Sequence, residues 1–371
     1  MRVLHVVATA QRRGAEIFTA DLVAALGRAG VDQRVAVLRG SDGPGIQYSA
    51  PTTMLSTGGR SLPGVRVELS GFMNLRRMIR DWRPDVVQAH GGEPLKYAVL
   101  GAIRARSQVV YRRIGSTPQE IIRGPRRLVY ARLMRHTARV VAVAEAVRSE
   151  TLEVFRLPEG HVLTIPNAVD DRRLGATRDR AAVRRELGIP EAAEVVLSLG
   201  ALTWEKDPLA HVDVAAGVLE ARPQAWHLMV GDGPLRGQVE DAGRRRGMGR
   251  FQLVSTRSDV GAVLAASDVL LFASCSEGMP ASVIEAGIAG VPVAGYAVAG
   301  VSEVVEPGVT GLLVQPADRQ GLQAQVLALL QDPRRRGTLG SAARQHCLAR
   351  FSIGAVAPRY QDLYRTLQVA G

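Results

Sequence analysis

The sequence predicts an α/β protein made of two Rossmann-like, doubly wound domains that face one another across a cleft. Three observations carry this expectation. Short apolar segments recur at 3–7, 33–38, 85–88, 109–111 and 140–143, then at 195–199, 227–230, 252–254, 269–272 and 292–294, with helical stretches between most of them. Near-continuous apolar runs of this length suit parallel strands buried on both faces, and their alternation with helices suits βαβ units. The rhythm pauses at Ile165-Pro166-Asn167-Ala168-Val169-Asp170-Asp171 and a polar, Arg-rich stretch reaching Pro190. The pause sets a first domain at 1–168 and a second at 169–350. An amphipathic pattern around Tyr360, Leu363, Tyr364 and Leu367 then reads as a closing helix within 351–371, expected to pack back toward the first domain.

Length and composition narrow the class. A chain of 371 residues with 46% hydrophobic content, 39 Gly and 19 Pro can bury two ordinary cores without staples. Its two cysteines, Cys275 and Cys347, suffice for neither a disulfide framework nor a zinc site, which fits a reducing compartment. Cys275 reads as a small buried residue rather than a nucleophile. Residues 1–8 form an apolar strand too short for a signal peptide, and no run approaches the ~20 apolar residues of a membrane span, so a cytoplasmic protein is expected.

The net charge of +12 is unevenly placed. Residues 1–166 carry 25 Lys plus Arg against 13 Asp plus Glu, and the remainder carries 22 of each, so the whole excess lies in the first half. Much of it falls between Arg104 and Arg148, where 121–135 reads as one basic amphipathic helix able to lie on anionic lipid at the inner membrane face. The alternative reading is a solvated surface in a chain whose 47 basic residues include only two lysines. Aromatic content of 4% is too thin for base-stacking platforms, so no nucleic acid partner is expected.

Residues 275–292 are the most informative segment. An apolar strand ending at Phe272 feeds a loop holding Glu277; Pro280 fits the first turn of a helix that carries Glu285, and Gly290 and Pro292 close that helix. The loop lies at the carboxyl end of a strand, where open α/β sheets bind ligands. Amides of Gly278, Met279 and Ala281, together with the positive helix end, make a seat for an anion or for sugar hydroxyls. An isolated pair of glutamates spaced this way would more often be a solvated feature of a capped helix. Lys206, one of the two lysines, stands in a strand–glycine–helix-start segment at 197–208, where a compact ammonium could neutralise a diphosphate. Gly14, after the first strand, marks a possible close approach of backbone to phosphate, although no G-x-G-x-x-G fingerprint surrounds it.

Taken together, Glu277-Gly278-Met279-Pro280 with Glu285-Ala286, Gly290-Val291-Pro292-Val293 and Gly308-Val309-Thr310-Gly311-Leu312-Leu313-Val314 resemble glycosyltransferase family 4, retaining enzymes of the GT-B fold. Val230-Gly231-Asp232-Gly233-Pro234-Leu235, Ile165-Pro166-Asn167, the run 83–91 and Gly14-Ala15-Glu16 are similar to the family's motifs, in the family's order. The resemblance implies that Glu277 contacts the donor sugar, Glu285 grips the donor ribose, Lys206 holds the diphosphate, and Gly14 packs near the leaving phosphate. His90 looks like the histidine that faces the donor sugar from the first domain; read alone, it is a buried structural histidine.

Four positions depart from the family pattern. Ala201 stands where the family has Arg, removing one phosphate-binding cation, and Arg13 is a candidate to replace it. Arg13, Ala168 and Ala299 each replace a glycine, which reduces backbone freedom. The activity implied is transfer of a hexosyl group from a nucleoside diphosphate sugar, UDP- or GDP-linked, to an acceptor hydroxyl, with no cofactor or metal. An anionic or lipid-linked acceptor would suit the basic first domain. A sugar-nucleotide epimerase or phosphorylase of the same fold, or a non-catalytic nucleotide-sugar-binding relative, are the alternatives.

Overall fold

A computed structural model describes residues 1–40, 45–56, 61–62, 67–175 and 179–369. Residues 176–178 of the polar inter-domain stretch, and the last two of the chain, lie outside them. The chain divides into two compact units, Met1–Ala168 with Ile353–Gly371, and Val169–Ser352.

The first unit holds β1 (Arg2–Thr9), β2 (Asp32–Arg39), β3 (Thr52–Met54), β4 (Ser61–Leu62), β5 (Val67–Glu68), β6 (Val86–His90), β7 (Gln108–Arg113), β8 (Arg139–Ala142) and β9 (Val162–Thr164). Seven of these form one sheet in the order β3-β2-β1-β6-β7-β8-β9, with every pair parallel, while β4 and β5 make a separate antiparallel pair. Val3, Leu4, Val6 and Val7 of β1 are fully buried, as a central strand covered on both faces requires. The helix Gly14–Arg28 lays Phe18, Leu22 and Leu26 on this sheet.

The last helix, Ile353–Val369, completes that core. Its residues Ile353, Val356, Tyr360, Tyr364 and Leu367 pack with Phe18, Leu22, Val3 and Val110, and the Tyr364 hydroxyl donates to Gln88 Oε1 at 3.0 Å. Burying five large side chains at about 1.5–3 kcal/mol each offsets the cost of ordering a helix so far along the chain from its sheet.

The second unit holds β10 (Glu194–Leu199), β11 (Ala225–Val230), β12 (Phe251–Val254), β13 (Val269–Phe272), β14 (Val293–Tyr296) and β15 (Gly311–Val314). They form one all-parallel sheet in the order β12-β11-β10-β13-β14-β15. Sequential strands run outward in one direction from β10 and in the other from β13. The switch point therefore lies between these two strands, and a crevice opens at their carboxyl ends. Among the described residues no helix is long and apolar enough to cross a membrane.

One expectation about an element is corrected. Residues 121–135 are not a single helix but two, Gln119–Ile122 and Arg126–Arg135. Gly124 and Pro125 break it: a Cβ on Gly124 would stand 2.6 Å from the Glu120 carbonyl oxygen, and Pro125 has no N–H to continue the ladder.

Candidate functional site

The loops after β10 and β13 meet at the switch point of the second unit. After β10 the chain passes through Gly200 and Ala201 into a short turn, Trp204–Lys206. Asp207 follows in a left-handed conformation (φ 41°) and caps the helix Pro208–Ala221, its Oδ1 accepting the Ala210 N–H at 3.1 Å. After β13 the chain enters the Glu277 loop and then the helix Ala281–Ala289.

Three ties fasten these loops together. The Cys275 N–H donates to the Glu205 carbonyl at 3.0 Å, and the Ala273 N–H donates to His211 Nε2 at 3.1 Å. The third is ionic: Lys206 Nζ donates to Glu277 Oε1 at 2.5 Å and to Oε2 at 2.7 Å. Glu277 is nearly buried, with 7% of its side chain exposed against 28% for Lys206. Two residues 71 apart in sequence thus share one charge-assisted contact.

His211 was not anticipated. Its Nδ1 lies 3.0 Å from the Asp207 carbonyl, which only accepts, so Nδ1 carries the proton and Nε2 is free to accept from Ala273. Burial lowers its pKa and keeps it neutral. The signal available in the sequence was a histidine in the first turn of a largely apolar helix.

The helix after the loop differs slightly from expectation. Pro280 is the residue preceding it (φ −74°, ψ 123°), so Ala281 is the first helical position. The Gly278 and Ala281 N–H groups have no acceptor among the described residues and stand at the positive helix end. Met279 and Pro280 are buried beside them. Gly290 ends the helix in the left-handed conformation (φ 77°). Glu285, in the second turn, is 7% exposed and has the Arg173 guanidinium 3.7 Å from Oε1. Arg173 escaped the sequence reading because it lies in a polar stretch with no periodic signal. A small chamber of about 20 Å³ opens between the two strand ends; Ala201, Lys206, His211 and Ser274 line it, and Lys206 is the one charged group among its lining residues.

The glycine replacements can be judged individually. A Cβ on Gly300 would fall 1.8 Å from the Gly278 carbonyl oxygen, so the Glu277 loop can approach only a glycine at 300. Ala299 begins the helix Ala299–Val304 and meets no such limit. Arg13 precedes its helix with φ −116°, and Ala168 is a buried core residue outside the positive-φ positions, so neither place requires glycine.

Cys275 is corrected from buried to exposed. Its Sγ lies 3.7 Å from Asp207 Oδ2, and partial desolvation and then that carboxylate push its pKa up, the opposite of an activated thiol.

In the first unit, Gly14 opens its helix with nothing within 4 Å of an added Cβ, so its backbone is accessible to a ligand. His90 ends β6 with 2% exposure. Gln33 Nε2 donates to the Val23 carbonyl at 2.9 Å, leaving its Oε1 to accept from His5 Nε2 at 3.0 Å. His5 Nδ1 must then accept, so His90 donates its Nε2 proton across 3.1 Å. His90 Nδ1 is left unprotonated, buried and without a partner among the described residues. Burial, then the neighbouring His5 and Arg112, hold its pKa well below 6.5. The ring is thus buried within its own unit and hydrogen-bonded to His5. Arg112 was also missed. It is fully buried, stacks 3.6 Å from the centre of the Phe18 ring and donates to Asn167 Oδ1 at 2.8 Å.

Comparison with known proteins decides the family. The model described as Glycosyltransferase Family 4 matches residues 12–173, and that described as Glycosyl transferases group 1 matches residues 179–346. The chain belongs to glycosyltransferase family 4. It is 26% identical over 338 residues to a 2-deoxystreptamine glucosyltransferase of Streptomyces kanamyceticus, covering 83% of this chain and 87% of that one. It is likewise 26% identical over 322 residues to a D-inositol 3-phosphate glycosyltransferase of Thermobispora bispora, covering 80% and 74%. Among solved structures, Anabaena Alr3699/HepE in complex with UDP-glucose superposes with a TM-score of 0.83 at 20% identity over 99% of this chain and 100% of that one. Sucrose-phosphate synthase of Thermosynechococcus elongatus gives 0.82 at 21% over the full length of both. This family 4 member is therefore a glycosyltransferase on the GT-B plan of two parallel-sheet α/β domains.

Proposed function

We propose that this glycosyltransferase transfers a hexosyl group from a nucleoside diphosphate sugar to an acceptor hydroxyl with retention of anomeric configuration, and that the donor lies at the β10–β13 switch point. The observation that carries the reading is the Lys206–Glu277 pair beside an open helix start at that point. The UDP-glucose complex of a structural relative supports it.

Breaking the anomeric C–O bond puts negative charge on the departing phosphate while the sugar becomes oxocarbenium-like. In this reading Lys206 leaves Glu277 for the diphosphate and stabilises the growing charge. The Gly278 and Ala281 amides orient the sugar, Glu277 contacts its hydroxyls, and Glu285, steadied by Arg173, receives the ribose. The acceptor oxygen attacks from the face the diphosphate leaves and passes its proton to the departing phosphate oxygen, so the new bond keeps the old configuration. Charge compensation comes from the ammonium and the helix end, and the scheme uses no metal or cofactor. Gly14 lets backbone approach the leaving phosphate, and His90 is assigned to holding β1 and β6 together. Two free thiols suit a reducing compartment, so the reading places the enzyme in the cytoplasm.

Incubation with UDP-, GDP- and ADP-sugars and a panel of soluble and lipid acceptors, followed by mass spectrometry and NMR of the products, tests this. Donor consumption without an acceptor, a requirement for inorganic phosphate, or an inverted anomeric centre would each overturn it.

A further inference from the structure

The first unit carries a second surface at the opposite end of its sheet from Gly14 and His90. Pro84 and Asp85 precede β6, Ser107 precedes β7 and Ala138 precedes β8; all four line grooves at the amino ends of these strands. A five-residue strand such as β6 spans roughly 16 Å, so this face lies about a sheet's depth from the carboxyl-end loops. One groove, of about 870 Å³, is lined by Arg76, Arg77, Arg80, Arg83, Arg104 and Arg106. Its neighbour, of about 630 Å³, shares Ile103 and Ser107 with it and adds Arg132 and Arg135.

Most of the positive charge on this face is uncompensated. Among the described residues no carboxylate pairs with Arg76, Arg77, Arg83, Arg104, Arg106 or Arg132, and Arg80 meets only its exposed neighbour Asp81. Asp85, the carboxylate in the larger groove, is occupied by the Arg2 backbone N–H at 2.7 Å. In the second unit arginines without a carboxylate partner among the described residues, including Arg245, Arg250, Arg334 and Arg335, stand beside many that are paired. Arg180, Arg184, Arg222, Arg236 and Arg257 there each pair with an Asp or Glu.

Among the arginines stand apolar side chains turned to solvent, Met73 at 57%, Ile103 at 51% and Val129 at 49% exposed. No Phe, Tyr or Trp lines either groove, and His136 is the one ring residue among their lining residues. Cations around exposed aliphatic groups, without stacking platforms, match the interface of an anionic bilayer better than a polynucleotide. Long arginine stems can lie along the acyl boundary while their heads reach lipid phosphates. We infer that this face, built from the helix Leu69–Trp82, the 102–107 turn and the end of the helix Arg126–Arg135, docks the enzyme on an anionic lipid surface.

The test is flotation of the full chain with vesicles of phosphatidylcholine alone or mixed with phosphatidylglycerol. Binding is expected only to the mixed vesicles, and it should weaken as salt is raised. Each arginine at such a surface is worth about fivefold in partitioning, so Arg76→Gln with Arg104→Gln should lower it by roughly 25-fold. Ile103→Ser should lower it by about tenfold through lost apolar contact. The pair Arg334→Gln with Arg335→Gln, exposed in the second unit and equal in net charge change, should bind like the unaltered chain. An unchanged melting temperature confirms that each variant is folded. Equal binding to both vesicle types, no binding to either, an equal loss in the second-unit pair, or displacement of vesicles by a single-stranded polynucleotide would overturn the inference. None of these readouts depends on the donor chemistry proposed above.

Discussion

Replacing Lys206 by Met separates two roles that the structure gives one ammonium. It neutralises Glu277, and in the proposed chemistry it meets the leaving diphosphate. Glu277 retains 7% exposure, so without Lys206 an almost buried carboxylate loses its partner. Breaking a fully buried pair costs about 3–5 kcal/mol, and the partly wet lysine reduces this here to roughly 1–3 kcal/mol. The effect on turnover has a different origin. Removing one preorganised charge-stabilising donor costs about 100- to 1,000-fold in kcat, or roughly 2.7–4 kcal/mol of barrier. Urea unfolding measures the first quantity, and release of nucleoside diphosphate under saturating donor and acceptor measures the second. Adding Glu277→Gln to Lys206→Met removes the stranded charge, so stability should return while turnover does not. A folded Lys206→Met enzyme whose kcat stays within about threefold of the parent would refute the reasoning.

Two further outcomes are expected. Gly300→Ala should cost about 1–3 kcal/mol in urea unfolding and weaken donor binding by calorimetry, because its Cβ would displace the Gly278 carbonyl, whereas Ala299→Gly should stay within about 1 kcal/mol. Equal costs for the two would contradict the packing argument. His227 has its pKa lowered by burial from 6.5 to about 3, with nearby His211 a smaller cause. The fold thus favours the neutral ring: its stabilisation is fully present above pH 6.5 and is lost as pH falls from 6.5 toward 3, while the unfolded chain takes up the proton. By pH 4.5 this amounts to roughly 3 kcal/mol, so His227→Phe, which preserves the stack on Phe251, should lose less stability than the parent between pH 6.5 and 4.5. Parallel pH profiles would refute this assignment.

The central strands were legible because burial on both faces writes an apolar run directly into the sequence, as in β1, β10 and β13. The edges were not. Thr52–Met54 is exposed throughout, Val162–Thr164 is only three residues long, and Gly311–Val314 follows a glycine turn, so no extended apolar run marks them as strands. The break at Gly124–Pro125 was present in the sequence but outweighed by the charge pattern around it. At the site, residue types and strand-end positions could be read, whereas partners could not. Arg173 beside Glu285, Arg112 against Phe18 and the enclosure of His90 arise from contacts between distant segments, which periodicity does not encode. The glycine departures show the same division. Sequence flagged Ala299 and Ala168 equally with Arg13, but only the neighbouring backbone shows that the obligatory glycine is Gly300.

The ties between the β10 and β13 loops bear on how the site can work. His211 and the Cys275–Glu205 contact hold backbone to backbone, so the two loops are placed without help from the Lys206–Glu277 pair. The ion pair is then free to serve as the exchangeable part. A diphosphate offers the ammonium more negative charge than a carboxylate does, and Glu277, once released, can accept from sugar hydroxyls at the same loop. In the proposed chemistry the desolvation of Glu277 has already been met in folding, so the free energy of exchanging its partner would go into binding the charged donor rather than ordering the loops. In that chemistry the same arrangement would compensate for Ala201. With Lys206 fixed beside the open amides of Gly278 and Ala281, the site retains a positive focus although the lining of its inner chamber contains no second cation.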